Sequence, residues 1–321
     1  MNQIETLLLN CSHFQPDASE LKKLAEHYPE LRVTVADEPS YTIEQLAKAQ
    51  IVVGFPKPGD LVHAEHLRWL QTPSAGVGQY SNKALFRNKG ILLTSAVGTY
   101  GKQIADHVLG MIIAFNHYFF TYQRQMETQH WQRYFPTHDI WESTILLIGF
   151  GDIGKNIAIR AKAHGMQVLA VKRTMTEKPP YVDELYTTES LDDLLSRADY
   201  VVLCVASTPQ TENILDERRI GLMKQGSYLI NVARGALADQ EALVQALQDG
   251  RLAGAGLDAT EPEPLPPEHP LWRMPNVFIT PHASGMSLSD PHQVFNIFFE
   301  NLGRYLNGQP MRNLVDFDRR Y

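Results

Sequence analysis

Near the middle of the chain, residues 145–154 read ILLIGFGDIG, an apolar run followed directly by a glycine-rich turn. The run has the continuous hydrophobicity of a strand that is buried on both faces. Behind the turn, Ile153, Ile157 and Ala161 recur at helical spacing. A strand, a G-x-G-x-x-G turn and a helix form the context in which a dinucleotide pyrophosphate binds at a helix N-terminus. The stretch therefore predicts a dinucleotide-binding unit.

Further apolar runs follow this stretch, and helical segments alternate with them. The runs lie at residues 168–171, 201–205, 229–232, 253–257 and 277–279. Together with the run at 145–148 they predict six strands joined by helices. This pattern is typical of an α/β fold with a doubly wound parallel sheet, the Rossmann type.

Almost half of the chain precedes the glycine-rich turn and repeats this alternation more weakly. Its strand candidates lie at residues 7–9, 33–35, 51–53, 69–70 and 91–93. They predict a second, smaller α/β domain. An apolar helix at 104–115 leads from it into the central domain, and the residues from Pro291 onward return to it. We therefore predict an outer domain of residues 1–96 and 287–321, with a dinucleotide-binding domain of residues 97–286 inserted in it.

The overall composition limits the possible functions. With 321 residues, of which 44% are hydrophobic and 20% charged, the chain suits two globular domains. A net charge of -7 argues against nucleic acid as the main partner, because no basic excess is present to neutralise phosphates. No apolar run is long enough to cross a membrane, and the N-terminus lacks a basic signal start. Two distant cysteines, Cys11 and Cys204, favour a reducing cytoplasm over a disulfide framework.

Ionisable residues follow the later strands, at the edge where open α/β sheets place their ligands. They are Arg234, Asp258, Glu263 and His282. Each one alone is equally explained by a structural ion pair, a solvated loop charge or a loop histidine. Because all of them follow a dinucleotide-binding turn, we expect them to form a catalytic site.

The sequence around these residues is similar to that of a known family. Residues 231–235 read NVARG, residues 256–265 read GLDATEPEPL and residues 276–282 read NVFITPH. In this order and spacing they resemble the D-isomer-specific 2-hydroxyacid dehydrogenases. The segment SAGVG at 74–78 resembles that family's substrate-carboxylate loop. The resemblance covers nearly the whole chain and implies a Rossmann cofactor domain inserted in a smaller, flavodoxin-like substrate domain.

The resemblance also implies a reaction, the reduction of a small 2-oxo acid to the D-2-hydroxy acid by a nicotinamide dinucleotide. His282 would protonate the carbonyl oxygen, and Glu263 would bond the other ring nitrogen and orient the imidazole. Arg234 would hold the keto oxygen and the carboxylate and stabilise the growing negative charge.

The resemblance implies further substrate contacts. The backbone N–H groups of Gly76 and Val77 would bind the carboxylate. Phe55, in the loop at 53–58, predicts a modest and partly apolar substrate site. Tyr100 occupies a position that in relatives lies near the substrate or the nicotinamide. Arg234 and His282 complete the predicted substrate-binding set, and no metal site is predicted.

The predicted cofactor contacts come from the ends of successive strands. They are Gly149, Gly151, Asp152, Ile153, Gly154, Lys172, Arg173, Thr174, Val205, Ala206, Thr211, Val232, Ala233 and Asp258. Where many relatives carry His-x-Pro against the adenine, this chain has Cys-Val-Ala at 204–206. The substitution keeps an apolar lining.

The end of the second strand of the central domain bears on the choice of cofactor. NAD-binding proteins place an acid here to bond the ribose 2′-hydroxyl, but this chain reads KRT at residues 172–174. Lysine, arginine and threonine side chains can bond a 2′-phosphate. The alternative is that they are solvated side chains at a strand end. We predict that NADP(H) is preferred and that NAD(H) is possible.

Reduction of glyoxylate or hydroxypyruvate is the function that the resemblance favours. Two alternatives stay open: a non-catalytic, dinucleotide-sensing corepressor-like scaffold, and 2-hydroxy acid oxidation of the phosphoglycerate dehydrogenase type. A formate dehydrogenase-like reaction is disfavoured, because it does not use the glutamate–histidine relay that Glu263 indicates. The family also implies a homodimer formed through residues 104–115.

Overall fold

The computed structural model describes residues 3–134, 137 and 139–319. The chain forms two compact units, Met1–Tyr100 with Met286–Tyr321 and Gly101–Gly285, which we call the outer unit and the central unit. Residues 1–2 and 320–321, which belong to the predicted outer domain, lie outside the described residues.

The strands and helices of the described residues follow one another in an alternating order. The strands are β1 (Ile4–Asn10), β2 (Leu31–Asp37), β3 (Ile51–Val53), β4 (Trp69–Gln71), β5 (Leu92–Thr94), β6 (Thr144–Ile148), β7 (Gln167–Val171), β8 (Glu184–Tyr186), β9 (Tyr200–Leu203), β10 (Ser227–Asn231), β11 (Leu252–Leu257) and β12 (Val277–Ile279). The α-helices are α1 (Ala18–His27), α2 (Ile43–Lys48), α3 (Gly101–Asn116), α4 (Phe119–Glu127), α5 (Asp152–Ala163), α6 (Leu191–Leu195), α7 (Glu217–Leu222), α8 (Gln240–Gln248) and α9 (Asp290–Leu306).

The outer unit contains a parallel sheet in the order β2-β1-β3-β4-β5. This is the strand order of flavodoxin, so the predicted flavodoxin-like fold is confirmed. Helix α9 returns to this unit and packs its aromatic face on the sheet. The rings of Phe298 and Trp69 lie 5.6 Å apart. Buried Asn301 donates hydrogen bonds to the Gln71 side chain and to the Arg312 carbonyl.

The central unit contains a parallel sheet in the order β12-β11-β10-β9-β6-β7-β8. Strands β6 to β11 therefore follow the Rossmann order 3-2-1-4-5-6, with β12 added at the edge, which confirms the predicted doubly wound sheet. The runs predicted at 201–205 and 229–232 end earlier, at Leu203 and Asn231, because the chain turns away from the sheet there. One strand was missed: β8 is a half-exposed edge strand without an apolar run.

The helix predicted at 104–115 begins three residues earlier, at Gly101, where it packs closely on α5. A Cβ atom at Gly101 would lie 2.3 Å from the Asp152 carboxylate, so a larger residue would require that side chain to move. Within residues 3–134, 137 and 139–319, no helix has both the length and the apolar character that a membrane span requires.

Candidate active site

The glycine-rich turn joins β6 to α5, and its three glycines differ in their surroundings. Gly149 has a φ of +107°, and a Cβ there would lie 2.6 Å from the carbonyl oxygen of Cys204. A Cβ at Gly154 would lie 2.3 Å from the carbonyl oxygen of Gly149. A Cβ at exposed Gly151 would meet nothing within 4 Å. Gly149 and Gly154 are thus required because a side chain there would collide with the neighbouring backbone. Gly151 instead leaves open space in front of the helix.

That open space lies at the N-terminus of α5, which begins at Asp152 after the N-cap residue Gly151. The first helical hydrogen bond runs from Lys155 N to Gly151 O at 3.0 Å, so the preceding amides lie outside the helical ladder. Glycine has no side chain to cap them, and the positive end of the helix dipole favours an anion. This arrangement fits a dinucleotide pyrophosphate. The Asp152 carboxylate accepts a hydrogen bond from the Asn156 side chain.

Cys204, the residue that directly follows β9, supports the turn. Its thiol donates a hydrogen bond to the Gly149 carbonyl at 3.0 Å. Burial raises the pKa of this thiol to about 12, so the sulfur keeps the proton that it donates. Downstream, the Thr211 hydroxyl lies 2.7 Å from Ala206 O and shapes the loop after β9. Val205 is half-buried and Ala206 is exposed.

The strand β7 ends beside this turn and carries the predicted cofactor-selecting residues. Gly149 N donates to Val171 O at 3.0 Å, which ties the turn to the end of β7. Lys172 is half-buried, and its Nζ donates to the Thr176 hydroxyl at 2.9 Å. Arg173 and Thr174 are exposed. Positive charge therefore stands where an NAD-binding protein has a carboxylate.

Arg234 lies in a turn that the Asn231 side chain builds at the end of β10. Asn231 Nδ2 donates to Arg234 O at 2.8 Å, and Ala233 N donates to Asn231 Oδ1 at 3.1 Å. The intervening Val232 and Ala233 are buried. The guanidinium donates to Ala233 O at 2.6 Å. Burial lowers the pKa of Arg234, and the charges of Glu263 and Asp258 oppose that shift. The side chain is a fixed and partly desolvated cation.

His282 lies between Glu263 and Arg234. Its Nδ1 is 2.9 Å from Glu263 Oε2, and its Nε2 is 3.4 Å from Arg234 Nη1. Glu263 is held in turn by Thr260, whose N–H donates to Oε1 at 3.2 Å. The carboxylate selects the tautomer with the proton on Nδ1, so Nε2 is available for proton transfer on the Arg234 side. The central unit thus brings the three predicted catalytic side chains together.

Asp258 shapes the backbone around His282, which has a φ of +51° in the left-handed region. His282 N donates to Asp258 O at 2.9 Å. The Asp258 carboxylate is buried and accepts hydrogen bonds from Thr280 Oγ1 at 2.6 Å, from Ala283 N at 2.8 Å, and from Ser284. A buried donor left unpaired costs on the order of 1–3 kcal/mol, so this carboxylate stabilises the turn. Its predicted contact with the cofactor stays a prediction.

Sequence reasoning missed several residues that hold this site in place. They are Asn231, Thr280, Ser284 and His107, whose Nε2 lies 3.1 Å from Thr280 Oγ1. Thr280 stands two residues before His282, so its proximity was a usable signal. His107 is remote in sequence from the other residues of the site.

The predicted substrate residues of the outer unit lie in two ordered loops. Phe55 follows Gly54, whose φ of +135° and close contact with Leu9 exclude a side chain there. Phe55 is half-buried against the core of this unit. Gly76 is exposed, whereas Val77 is buried and its carbonyl accepts from Tyr80 N at 2.8 Å.

Tyr100 is buried in the outer unit, and its hydroxyl donates to the Pro73 carbonyl. Its ring meets His13 edge-on, with 5.6 Å between the ring centroids. Burial raises the pKa of this phenol, so the hydroxyl remains a donor. A substrate contact by Tyr100 stays a prediction.

Comparison with known proteins decides the family. The NAD binding domain of the D-isomer specific 2-hydroxyacid dehydrogenases matches residues 109–284 of this chain. The chain belongs to this family. It is therefore an NAD(P)-dependent oxidoreductase that acts on CH–OH groups. The matched segment contains the glycine-rich turn together with Arg234, Glu263 and His282.

Solved structures and curated relatives agree with this assignment. A family member from Aeromonas salmonicida is 33% identical, with a TM-score of 0.86, over 99% of this chain and 100% of that one. A member from Xanthobacter autotrophicus in complex with NADPH and MES is 27% identical, with a TM-score of 0.83, over 99% and 100%. The glyoxylate reductase of Thermococcus gammatolerans is 39% identical over 183 residues, 57% of this chain and 54% of the relative. The match therefore spans about half the length of that relative.

Proposed function

We propose that this dehydrogenase reduces a small 2-oxo acid of the glyoxylate or hydroxypyruvate type to the D-2-hydroxy acid. The observation that carries the proposal is the contact of His282 with Glu263 on one ring nitrogen and with Arg234 on the other. A proton donor next to a fixed cation is what reduction of a carbonyl beside a carboxylate requires. The name of the Thermococcus relative supports glyoxylate as a substrate.

Each catalytic residue has a separate role in carbonyl reduction. A bound reduced nicotinamide supplies the hydride. His282, protonated on both nitrogens, gives the proton on Nε2 to the carbonyl oxygen, while the Nδ1 proton stays on the ring and is hydrogen-bonded to Glu263. Arg234 binds the substrate carboxylate and stabilises the negative charge that develops on the carbonyl oxygen. In the direction of alcohol oxidation, neutral His282 accepts the proton at Nε2.

Substrate binding is also proposed for the outer unit. The exposed backbone at Gly76 and the adjoining N–H of Val77 are suited to bind a carboxylate, because this role needs no particular side chain. Phe55 and Tyr100 are proposed to contact the rest of the substrate. We further propose a cytoplasmic location and a homodimer formed through residues 104–115. Light scattering that shows only a monomer would reject the dimer.

We propose that NADP(H) is the preferred cofactor, because Lys172, Arg173 and Thr174 present two cations and a hydroxyl at the end of β7. The NADPH complex of the Xanthobacter relative supports this choice. The double variant Lys172→Ala/Arg173→Ala should raise the KM for NADPH by roughly 10- to 100-fold, because charge-assisted bonds to a phosphate are lost. The KM for NADH should change by less than about threefold, because NADH lacks that phosphate.

A matched control removes two cations elsewhere. Lys22 and Lys48 are exposed side chains of the outer unit, each in an i,i+4 ion pair on its own helix. The double variant Lys22→Ala/Lys48→Ala should leave both KM values unchanged. An equal rise of the two KM values in the Lys172→Ala/Arg173→Ala variant would reject the phosphate-binding role.

A substrate panel tests the proposed function. The purified protein would be assayed with NADPH and NADH against glyoxylate, hydroxypyruvate, pyruvate and branched 2-oxo acids, and with NAD⁺ against 3-phosphoglycerate. The proposal expects the highest kcat/KM for glyoxylate or hydroxypyruvate with NADPH. Preferential oxidation of 3-phosphoglycerate would favour the phosphoglycerate dehydrogenase alternative. Tight dinucleotide binding without turnover would favour the corepressor-like alternative.

A further inference from the structure

The loop that carries Glu263 has few backbone N–H groups that could hold it in place through hydrogen bonds. Residues 261–268 read EPEPLPPE, with proline at four of the eight positions. Proline has no N–H to donate, so half of this loop cannot anchor itself through a backbone amide. Most of its residues are exposed, although Leu265 is buried. Even so, the Glu263 carboxylate is placed within 2.9 Å of His282 Nδ1. Side chains therefore supply much of its anchoring: Thr260 Oγ1 donates to Pro262 O and Trp272 Nε1 donates to Pro266 O, each at 3.0 Å.

The side chain of Gln240 fills this role at the start of the loop. Gln240 is the first residue of α8, and its amide pairs with both backbone groups of Glu261. Glu261 N donates to Gln240 Oε1 at 3.0 Å, and Gln240 Nε2 donates to Glu261 O at 2.6 Å. The two bonds have the donor and acceptor arrangement of paired strands. They determine which end of the side-chain amide is the oxygen and which is the nitrogen. Gln240 Nε2 also lies 3.2 Å from His269 Nε2, at the far end of the loop.

The peptide between Thr260 and Glu261 is confined from a second side. It lies against Gly235, where a Cβ would come within 2.1 Å of the Thr260 carbonyl carbon and 2.5 Å of Glu261 N. The N–H of Thr260 then donates to Glu263 Oε1. A continuous path therefore runs from Gln240 through this peptide to the carboxylate that holds His282. Gly235 directly follows Arg234, so the same peptide also packs beside the arginine turn.

We infer that Gln240 is a positioning residue, which acts on the reaction by holding Glu263 against His282. The inference rests on the proposed function only in that Glu263 must matter for turnover. Gln240 stands 23 positions before Glu263 in the sequence and bonds none of the three catalytic side chains directly. Without it, the backbone of Glu261 loses both of its hydrogen bonds to this side chain, and Glu263 samples positions out of reach of His282.

A double-mutant cycle tests the inference in glyoxylate reduction with NADPH. Gln240→Met keeps the length of the side chain and removes both hydrogen bonds. It should lower kcat about tenfold in the natural background but less than twofold in the Glu263→Gln background, because residues that act through one another are not additive. The KM for glyoxylate should stay within about twofold, since binding of the substrate is assigned to Arg234 and not to Gln240. Affinity for NADPH should not change.

Two further variants keep the test decisive. Gln248→Met, at the exposed C-terminal end of the same helix, should leave kcat and the KM for glyoxylate unchanged. Gln240→Glu keeps the acceptor for Glu261 N and loses only the donor, so it should still lower kcat if Gln240→Met does not fold. An equal loss of kcat in both backgrounds, or a rise in the KM for glyoxylate as large as the fall in kcat, would overturn the role of Gln240 alone. If Glu263→Gln leaves kcat unchanged, the role of Glu263 in the proposed function fails, and the inference fails with it.

Discussion

His282→Asn is expected to lower kcat for glyoxylate reduction by roughly 10²- to 10⁴-fold, the usual contribution of a positioned general acid. Asparagine tolerates the left-handed φ of +51° at this position, so the turn held by Asp258 should persist. An amide side chain cannot deliver a proton from the Nε2 position. The dissociation constant of NADPH should stay within twofold of the natural value, because no cofactor contact is assigned to His282. Steady-state kinetics and fluorescence titration with NADPH measure the two quantities.

His292→Asn is the matched control for this experiment. His292 is exposed in the outer unit, and its Nδ1 pairs with Glu20 at 3.0 Å, which raises the pKa of the imidazole. Its replacement removes a histidine of similar environment without touching the catalytic group, so kcat should not change. A His282→Asn variant with kcat within threefold of the natural enzyme would remove His282 from its assigned role.

Arg234→Lys is expected to lower kcat/KM for glyoxylate by roughly 10²- to 10³-fold, although the positive charge is kept. The guanidinium binds two oxygens with its planar fork, whereas an ammonium group is a single point charge. Arg234 Nη1 also lies 2.6 Å from the Ala233 carbonyl oxygen and 3.4 Å from His282 Nε2. KM should rise and kcat should fall, because the arginine is proposed to hold both the carboxylate and the reacting oxygen.

The control for this substitution is Arg304→Lys on α9, where the arginine forms a surface ion pair with Glu300. Such pairs contribute little, so both kinetic constants should be unchanged. If Arg234→Lys raised KM while kcat stayed at the natural value, the arginine would bind substrate without stabilising the developing charge. An unchanged kcat/KM would contradict both parts of its assignment.

Much of the fold is predictable because buried parallel strands leave continuous apolar runs. The run at 145–148 and the glycines behind it predict β6, the turn and α5, and the structure supplies the reason for each glycine. The strand β8 escaped prediction because an edge strand is half-exposed and needs no such run. The ends of β9 at Leu203 and of β10 at Asn231 were also not predicted. Hydrophobic residues continue into the following turns after the pairing of the strands stops.

In the candidate site, too, some residues are predictable from the sequence and others are not. Arg234, Glu263 and His282 are identifiable from motifs, because their chemistry demands particular side chains in a particular order. The direction in which Asp258 points is a property of the folded loop: its carboxylate satisfies the backbone around His282. The pairing of Gln240 with Glu261 joins residues that are separated in sequence by a helix and a strand. Neither contact produces a periodic or compositional pattern in the sequence.

The central claim is that this chain delivers a hydride and the His282 proton to a 2-oxo acid with D stereochemistry. It is tested most directly by incubating the purified protein with NADPH and hydroxypyruvate and resolving the glycerate formed by chiral chromatography. We predict that D-glycerate appears in a one-to-one ratio with the NADPH consumed, and that the His282→Asn variant forms almost none. Formation of L-glycerate, or no consumption of NADPH by the natural enzyme with any 2-oxo acid of the panel, would contradict the claim.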